Sequence, residues 1–230
     1  KTGDANLRAG DALLVVDMQN DFMPGGALGV HGGDQIVPEV NRLVEKFIAR
    51  RLPIVFSRDW HPPNHCSFGE QGGIWPVHCV QHTKGAAFTT GLAMPADPSV
   101  ISKATKVDHE AYSAFDGTGL SELLTRLEVT RIFIVGLATD YCVLETVRDA
   151  RREGFEVVVL EDGVILAGQV GIADHRRVGA GATVGAQAGV MHELATLSDQ
   201  GHVCCPRETL VQRAATMLEI DPEHVEAAIR

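Results

Sequence analysis

One segment of the chain leaves little choice of local structure. An apolar, β-branched run, Arg131-Ile132-Phe133-Ile134-Val135, leads through Gly136-Leu137-Ala138-Thr139-Asp140-Tyr141-Cys142 to Val143, Leu144, Val147, Ala150 and Arg151, which recur at helical spacing. The first part reads as a buried strand and the last as a helix leaving it. Thr139-Asp140 is an N-cap signature for that helix. Cys142 is thereby expected on the first helical turn, where N–H groups lack partners and the positive end of the dipole lies. Such a position lowers a thiol pKa, so Cys142 is a candidate nucleophile, and the same N–H groups could hold an oxyanion. The competing reading is a small buried core cysteine.

Three further apolar runs end in acids. Ala12-Leu13-Leu14-Val15-Val16 leads to Asp17, Pro53-Ile54-Val55-Phe56-Ser57 to Asp59, and Phe155 to Leu160 to Glu161-Asp162. A strand ending in an acid places the carboxylate at the carboxyl edge of a sheet, where open α/β sheets bind ligands. Between the strands, Ile36, Val40, Leu43, Val44 and Phe47 mark a helix with Asp34 as its expected cap, and Leu120 to Leu127 mark another. The alternation predicts a mostly parallel, doubly wound α/β sheet with helices on both faces. At 230 residues, one domain spanning 1–230 is the expectation.

The formal charge of −10 and the lack of any Lys/Arg run argue against a nucleic-acid surface. No apolar run has the length of a membrane span, and the polar start Lys1-Thr2-Gly3-Asp4 is not a signal peptide. The five cysteines, Cys66, Cys79, Cys142, Cys204 and Cys205, are odd in number and irregularly spaced, which suits a reducing, cytoplasmic setting.

The richest polar stretch follows the second strand: Asp59-Trp60-His61-Pro62-Pro63-Asn64-His65-Cys66, then Glu70, Trp75-Pro76 and His78-Cys79. Asp59 and His61 can face the same way in extended chain. With His78 from the far side of the loop they make a three-ligand set suited to zinc, iron or manganese. The alternative is a loop of solvated or structural histidines. Cys66 and Cys79 are rival ligands that would point away from their neighbouring histidines in extended chain. Lys103 matters only if the fold brings it beside Asp17 and Cys142, where its ammonium would favour a thiolate.

Together Asp17-Met18-Gln19-Asn20-Asp21-Phe22, Arg58-Asp59-Trp60-His61, Trp75-Pro76-Val77-His78-Cys79, Lys103, Asp108-His109-Glu110-Ala111-Tyr112-Ser113-Ala114-Phe115 and Gly136 to Val143 resemble the nicotinamidase/pyrazinamidase branch of the isochorismatase-like cysteine hydrolases. The likeness runs from about Ala12 to Asp162, with every motif in order. It implies a metal-dependent amidase that hydrolyses nicotinamide, and pyrazinamide with it, to the acid and ammonia through a thioester. In that reading Cys142 is the nucleophile, Asp17 the proton carrier and Lys103 the charge holder. The N–H groups of Ala138 and Cys142 form the oxyanion hole, after a cis Leu137–Ala138 bond. Asp59, His61 and His78 hold one divalent ion, zinc first, with His65 and Glu70 as candidates for a fourth ligand. Phe22 and Trp75 sandwich the substrate ring, with Tyr141 nearby. The implied partner is the small-molecule substrate, and a homo-oligomer is among the arrangements allowed.

From Ala167 the likeness lapses. Ile172, Val178, Val184 and Val190 recur every six residues, and residues 167–191 resemble one hexapeptide coil of the lipid A acyltransferases. One coil cannot bury its own apolar face. The segment is expected either to be rebuilt into a loop and helix or to protrude as a flap or subunit contact. The tail, 206–230, shows two short helical patterns. Three rival functions stand beside the amidase: a related amidase acting on another small amide or carbamoyl compound, a hexapeptide acyltransferase, and a catalytically dead binding module. The metal trio speaks against the first, the single coil against the second, and Cys142, Asp17 and Lys103 together against the third.

Overall fold

The apolar runs form five parallel strands in the computed structural model, which describes residues 7–165 and Gln212. The strands are β1 (Asp11–Val16), β2 (Ile54–Asp59), β3 (Ser99–Lys103), β4 (Arg131–Leu137) and β5 (Glu156–Ile165). They pair in the order β3-β2-β1-β4-β5, so the sheet is wholly parallel among the described residues. The α-helices that connect these strands are α1 (Val37–Ala49), α2 (Leu120–Arg126) and α3 (Leu144–Arg152). Strand side chains alternate between the two faces. Leu13 and Val15 of β1 meet Val40, Leu43, Val44 and Phe47 of α1 on one face. Ala12, Leu14 and Val16 meet Leu120 and Leu124 of α2 and Ala150 of α3 on the other. The doubly wound α/β class is as expected. The strand order reverses between β1 and β4, the crevice where sheets of this kind bind ligands.

All three helices end alike. Arg51, Glu128 and Gly154 take left-handed backbone at φ 54, 56 and 89°. Their N–H groups donate to Ile48, Thr125 and Arg151, and the next residues, Leu52, Val129 and Phe155, donate to Phe47, Leu124 and Ala150. This doubled pattern satisfies the last carbonyls of each helix and turns the chain into the next strand.

Two capping expectations are corrected. Asp34 lies in a 3₁₀ turn, Gly33–Ile36, and α1 begins beyond it with Ile36 at the cap and Pro38 in its first turn, where the missing N–H costs nothing. Neither Thr139 nor Asp140 caps α3, because a wide π-type turn, Thr139–Val143, comes first and Ala138 stands at its N-terminal cap. The Leu137–Ala138 peptide is cis. Gly136, at φ 122°, lies against β1 so closely that a Cβ there would stand 2.0 Å from the Val16 carbonyl oxygen.

The chain divides into two units, Lys1–Ala167 and Gly168–Arg230. The hexapeptide-like segment 167–191 lies outside the described residues, as does the tail 206–230 apart from Gln212. Among the described residues no helix is long and apolar enough to cross a membrane.

Candidate active site

Asp17 follows β1, Asp59 ends β2, Lys103 ends β3 and Cys142 follows β4, so parallel pairing delivers all four to one rim. Lys103, 1% exposed, is the hub. Its Nζ lies 3.0 Å from Asp17 Oδ2, donates to Asp59 Oδ1 and to Ala111 O at 3.2 Å, and stands 3.4 Å from Cys142 Sγ. Asp17 sits at φ 50°, which bends the chain out of β1, and its other oxygen accepts from Ser57 Oγ at 2.7 Å.

Burial pushes the Asp17 carboxyl above its ordinary value, further than Lys103 pulls it down. Burial also disfavours the Lys103 ammonium, but Asp17, Asp59 and Cys142 together hold its pKa well above the usual lysine range. Burial raises the Cys142 thiol well above its ordinary value, against the lowering by Lys103 and with Asp17 and Asp59 adding to the rise. The lowered thiol pKa expected from a helix start is thus not found. Cys142 precedes α3, and its burial beside two carboxylates raises the thiol. That shift favours the protonated thiol at rest.

The second cluster adjoins the first through Asp59. His61 Nδ1 donates to His78 O at 3.1 Å and His78 Nδ1 donates to Pro76 O at 2.7 Å. Both rings therefore turn Nε2 lone pairs outward, and His61 Nε2 is buried with no hydrogen-bond partner. His78 Nε2 lies 4.0 Å from Asp59 Oδ2, and donor atoms of Asp59, His61 and His78 fall within 4.8 Å of one another. Burial lowers the His61 pKa to about 4, leaving a neutral imidazole. The Asp59 carboxyl is raised by burial, but Lys103, His61 and His78 together bring it below its ordinary value.

The isochorismatase domain family matches residues 11–171. The chain belongs to the isochorismatase family. It is 40% identical to the nicotinamidase of Escherichia coli over 173 residues, 66% of this chain and 81% of that protein. A pyrazinamidase of Pyrococcus horikoshii, solved in complex with zinc, is 52% identical, with 70% of this chain and 88% of that one covered and a TM-score of 0.68. PnC1 of L. infantum, solved in complex with nicotinate, is 37% identical over 85% of this chain and 91% of that one, with a TM-score of 0.65.

In this isochorismatase-family chain the trio fits a divalent cation: one carboxylate oxygen and two imidazole lone pairs converge, and one of those lone pairs is an orphaned buried acceptor. The fourth-ligand candidates fare differently. Glu70 is exposed on a 3₁₀ turn, Gly69–Gln71, and is not brought to the trio. His65 lies against His61, with ring centroids 4.4 Å apart, but its ring nitrogens are engaged by Ser67 Oγ at 2.7 Å and His109 O at 3.0 Å. The acid that reaches His61 and His65 is Glu110, which the sequence reading did not select. Cys79 is buried, its thiol held protonated by that burial, and neither it nor Cys66 joins a ligand cluster among the described residues.

The aromatic residues line the same rim. Phe22 packs on His78 with centroids 5.7 Å apart, while Trp75 meets Tyr141 edge-on at 5.2 Å. Trp75 Nε1 donates to Tyr112 OH at 2.9 Å, which adds Tyr112 to the expected set. Ser57 was also missed, although strand alternation two residues before Asp59 is a signal for it. Tyr141 and Val143 both donate to Ala138 O, at 3.2 and 3.1 Å, which removes those two N–H groups from the donors an oxyanion could use.

Proposed function

We propose that this protein hydrolyses nicotinamide to nicotinate and ammonia, with Cys142, Asp17 and Lys103 as the catalytic residues. The observation that carries the reading is the Lys103 ammonium held among Asp17, Asp59 and Cys142 Sγ, because it joins a thiol, a carboxylate and a ligand trio in one buried cluster. The E. coli and P. horikoshii relatives support the substrate class.

A carboxamide is a poor electrophile, so attack needs an activated nucleophile and donors aimed at the forming oxyanion. Asp17 takes the Cys142 proton as sulfur bonds to the amide carbon. The N–H groups of Ala138 and Cys142 receive the oxyanion. Collapse breaks the C–N bond, and the proton on Asp17 leaves with ammonia. Asp17, again a carboxylate, then removes a proton from water, which attacks the thioester and releases nicotinate and the thiol. Lys103 keeps positive charge beside both carboxylates throughout. Phe22, Trp75 and Tyr141 hold the ring. Asp59, His61 and His78 would hold the divalent ion, zinc in our reading, and the ion when bound supplies a Lewis-acid anchor for the pyridine nitrogen. Pyrazinamide, with a ring nitrogen and a carboxamide similarly disposed, is expected to be a substrate as well.

The test is ammonia release from nicotinamide by wild type and Cys142→Ala, with zinc, iron or manganese supplied. Release by wild type alone supports the reading, and none by wild type with any of the three overturns it. Chelation is expected to weaken substrate binding more than it lowers the melting temperature. Equal turnover by metal-stripped protein counts against Asp59, His61 and His78 as ligands.

A further inference from the structure

The loop after β1 bonds the backbone at Asp59 and at Cys79, next to His78, although it contributes no member of the ligand trio. Gln19 is fully buried. Its side-chain amide behaves as an extra peptide group at the end of β2: Oε1 accepts from Asp59 N at 2.8 Å, and Nε2 donates to Asp59 O at 2.8 Å and to Ala86 O at 2.9 Å. Two residues on, Asp21 Oδ2 accepts from Cys79 N at 2.7 Å. Cys79 follows His78 and holds left-handed backbone at φ 47°. Its carbonyl accepts from His61 N at 3.0 Å. Asp59, His78 and His61 are therefore each one or two hydrogen bonds from Gln19 or Asp21.

The loop is itself pinned to the segment beyond the trio. Asn20 N donates to Ala87 O at 2.9 Å, Asp21 N to Gly85 O at 3.0 Å, and Asn20 Nδ2 to Lys84 O at 2.8 Å. Gly85 makes room for the carboxylate, since a Cβ there would lie 2.1 Å from Asp21 Oδ2.

We propose that Gln19 and Asp21 are positioning residues for the metal trio: by holding the backbone at Asp59 and at Cys79, they set the separation of Asp59, His61 and His78. This rests on the reading of those three side chains as ligands of a divalent cation. A ligand's outer partners typically govern about 10- to 100-fold in metal affinity. Asp21 accepts the Cys79 N–H at 2.7 Å through Oδ2 and the Ala27 N–H at 3.4 Å through Oδ1, so asparagine can keep the short acceptor contact at Cys79 and alanine keeps neither. Gln19 needs both ends of its amide, so an isosteric residue with neither is deficient.

The experiment is a zinc titration of metal-free, folded protein against a chromogenic chelator, well below the melting temperature. It compares wild type with Gln19→Met, Gln19→Glu, Asp21→Ala, Asp21→Asn, Asp59→Ala and Asn41→Ala. Asn41 is the matched control, because its amide makes the same kind of clamp on Gly91 O and Ala93 N, each at 2.7 Å, away from the trio. The expected result is zinc binding weakened about 10- to 100-fold in Gln19→Met and Asp21→Ala. Asp21→Asn should recover most of that loss, and Asn41→Ala should bind zinc as wild type does even if its melting temperature falls. Should Gln19→Met fail to fold, Gln19→Glu gives the same reading, since it keeps the acceptor and loses both donations. Wild-type zinc affinity in the Gln19 and Asp21 variants, alongside loss of binding in Asp59→Ala, overturns the positioning role and leaves the ligands intact. Equal binding by wild type and Asp59→Ala overturns the ligand reading and this proposal with it.

Discussion

Replacing Lys103 with methionine, which keeps most of the unbranched side chain and removes the ammonium, isolates what the hub contributes. The ammonium lies 3.0 Å from Asp17 Oδ2 and also bonds Asp59 Oδ1, both carboxylates being buried. At an effective dielectric of about 20, one such contact is worth roughly 5–6 kcal/mol before desolvation is charged against it. Removing one partner of a buried charge cluster leaves the others uncompensated and costs about 3–5 kcal/mol net. In a domain of this size that corresponds to a melting temperature lower by roughly 6–20 °C. Urea denaturation of metal-free Lys103→Met against metal-free wild type reads the difference directly. A loss below about 1 kcal/mol, the range of an exposed pair, would refute the argument that this ion cluster is buried and mutually dependent. Loss of turnover in the same variant follows as well, but it does not separate charge from geometry.

Gly136→Ala is expected to disrupt the β1–β4 junction, because its Cβ would meet the Val16 carbonyl oxygen at 2.0 Å and the backbone there holds φ 122°; soluble yield and circular dichroism check it. Asp11→Asn removes a buried carboxylate that accepts two 2.8 Å bonds from Arg131, at a cost of about 1.5–3 kcal/mol at neutral pH. Burial raises the Asp11 pKa, but Arg131 and the Arg8 N–H more than offset this, so the folded value lies below the ordinary carboxylate value. The contribution is therefore full above the unfolded pKa and fades as pH falls through the folded one, so wild-type and variant urea midpoints should converge in acid. Tyr112→Phe takes away the acceptor for Trp75 Nε1 and should raise KM roughly fivefold, about 1 kcal/mol, with kcat little changed; a larger fall in kcat than rise in KM would place Tyr112 in the chemistry instead.

The sheet is legible in the sequence because Ala12–Val16 and Ile132–Val135 are buried on both faces and so read as unbroken apolar runs. Asp17, Asp59 and Cys142 are legible for a related reason, since a parallel strand can only deliver its last residues to one rim. Lys103 is different: nothing local marks it, and its meaning comes from β3 pairing beside β2. The Cys142 pKa went the other way because a sequence displays a helix start but not two carboxylates folded in from elsewhere. Glu70 stood closer in sequence to the histidines than Glu110 did, yet the turn at Gly69–Gln71 carries it outward. Gln19 shows no signal by residue type, because a buried amide clamping a distant peptide is a tertiary event.

Arg51 and Glu128 stop their helices in a backbone conformation that costs a side-chain-bearing residue roughly 1–2 kcal/mol, while Gly154 does the same work without that strain. All three stand at the amino ends of the strands, away from the rim that holds Lys103. Part of the backbone strain thus sits on the floor of the sheet, apart from that at Asp17 and Cys79 by the rim, and an engineer could relieve it with glycine at residues 51 and 128, or attach a surface tether, and leave the chemistry above undisturbed.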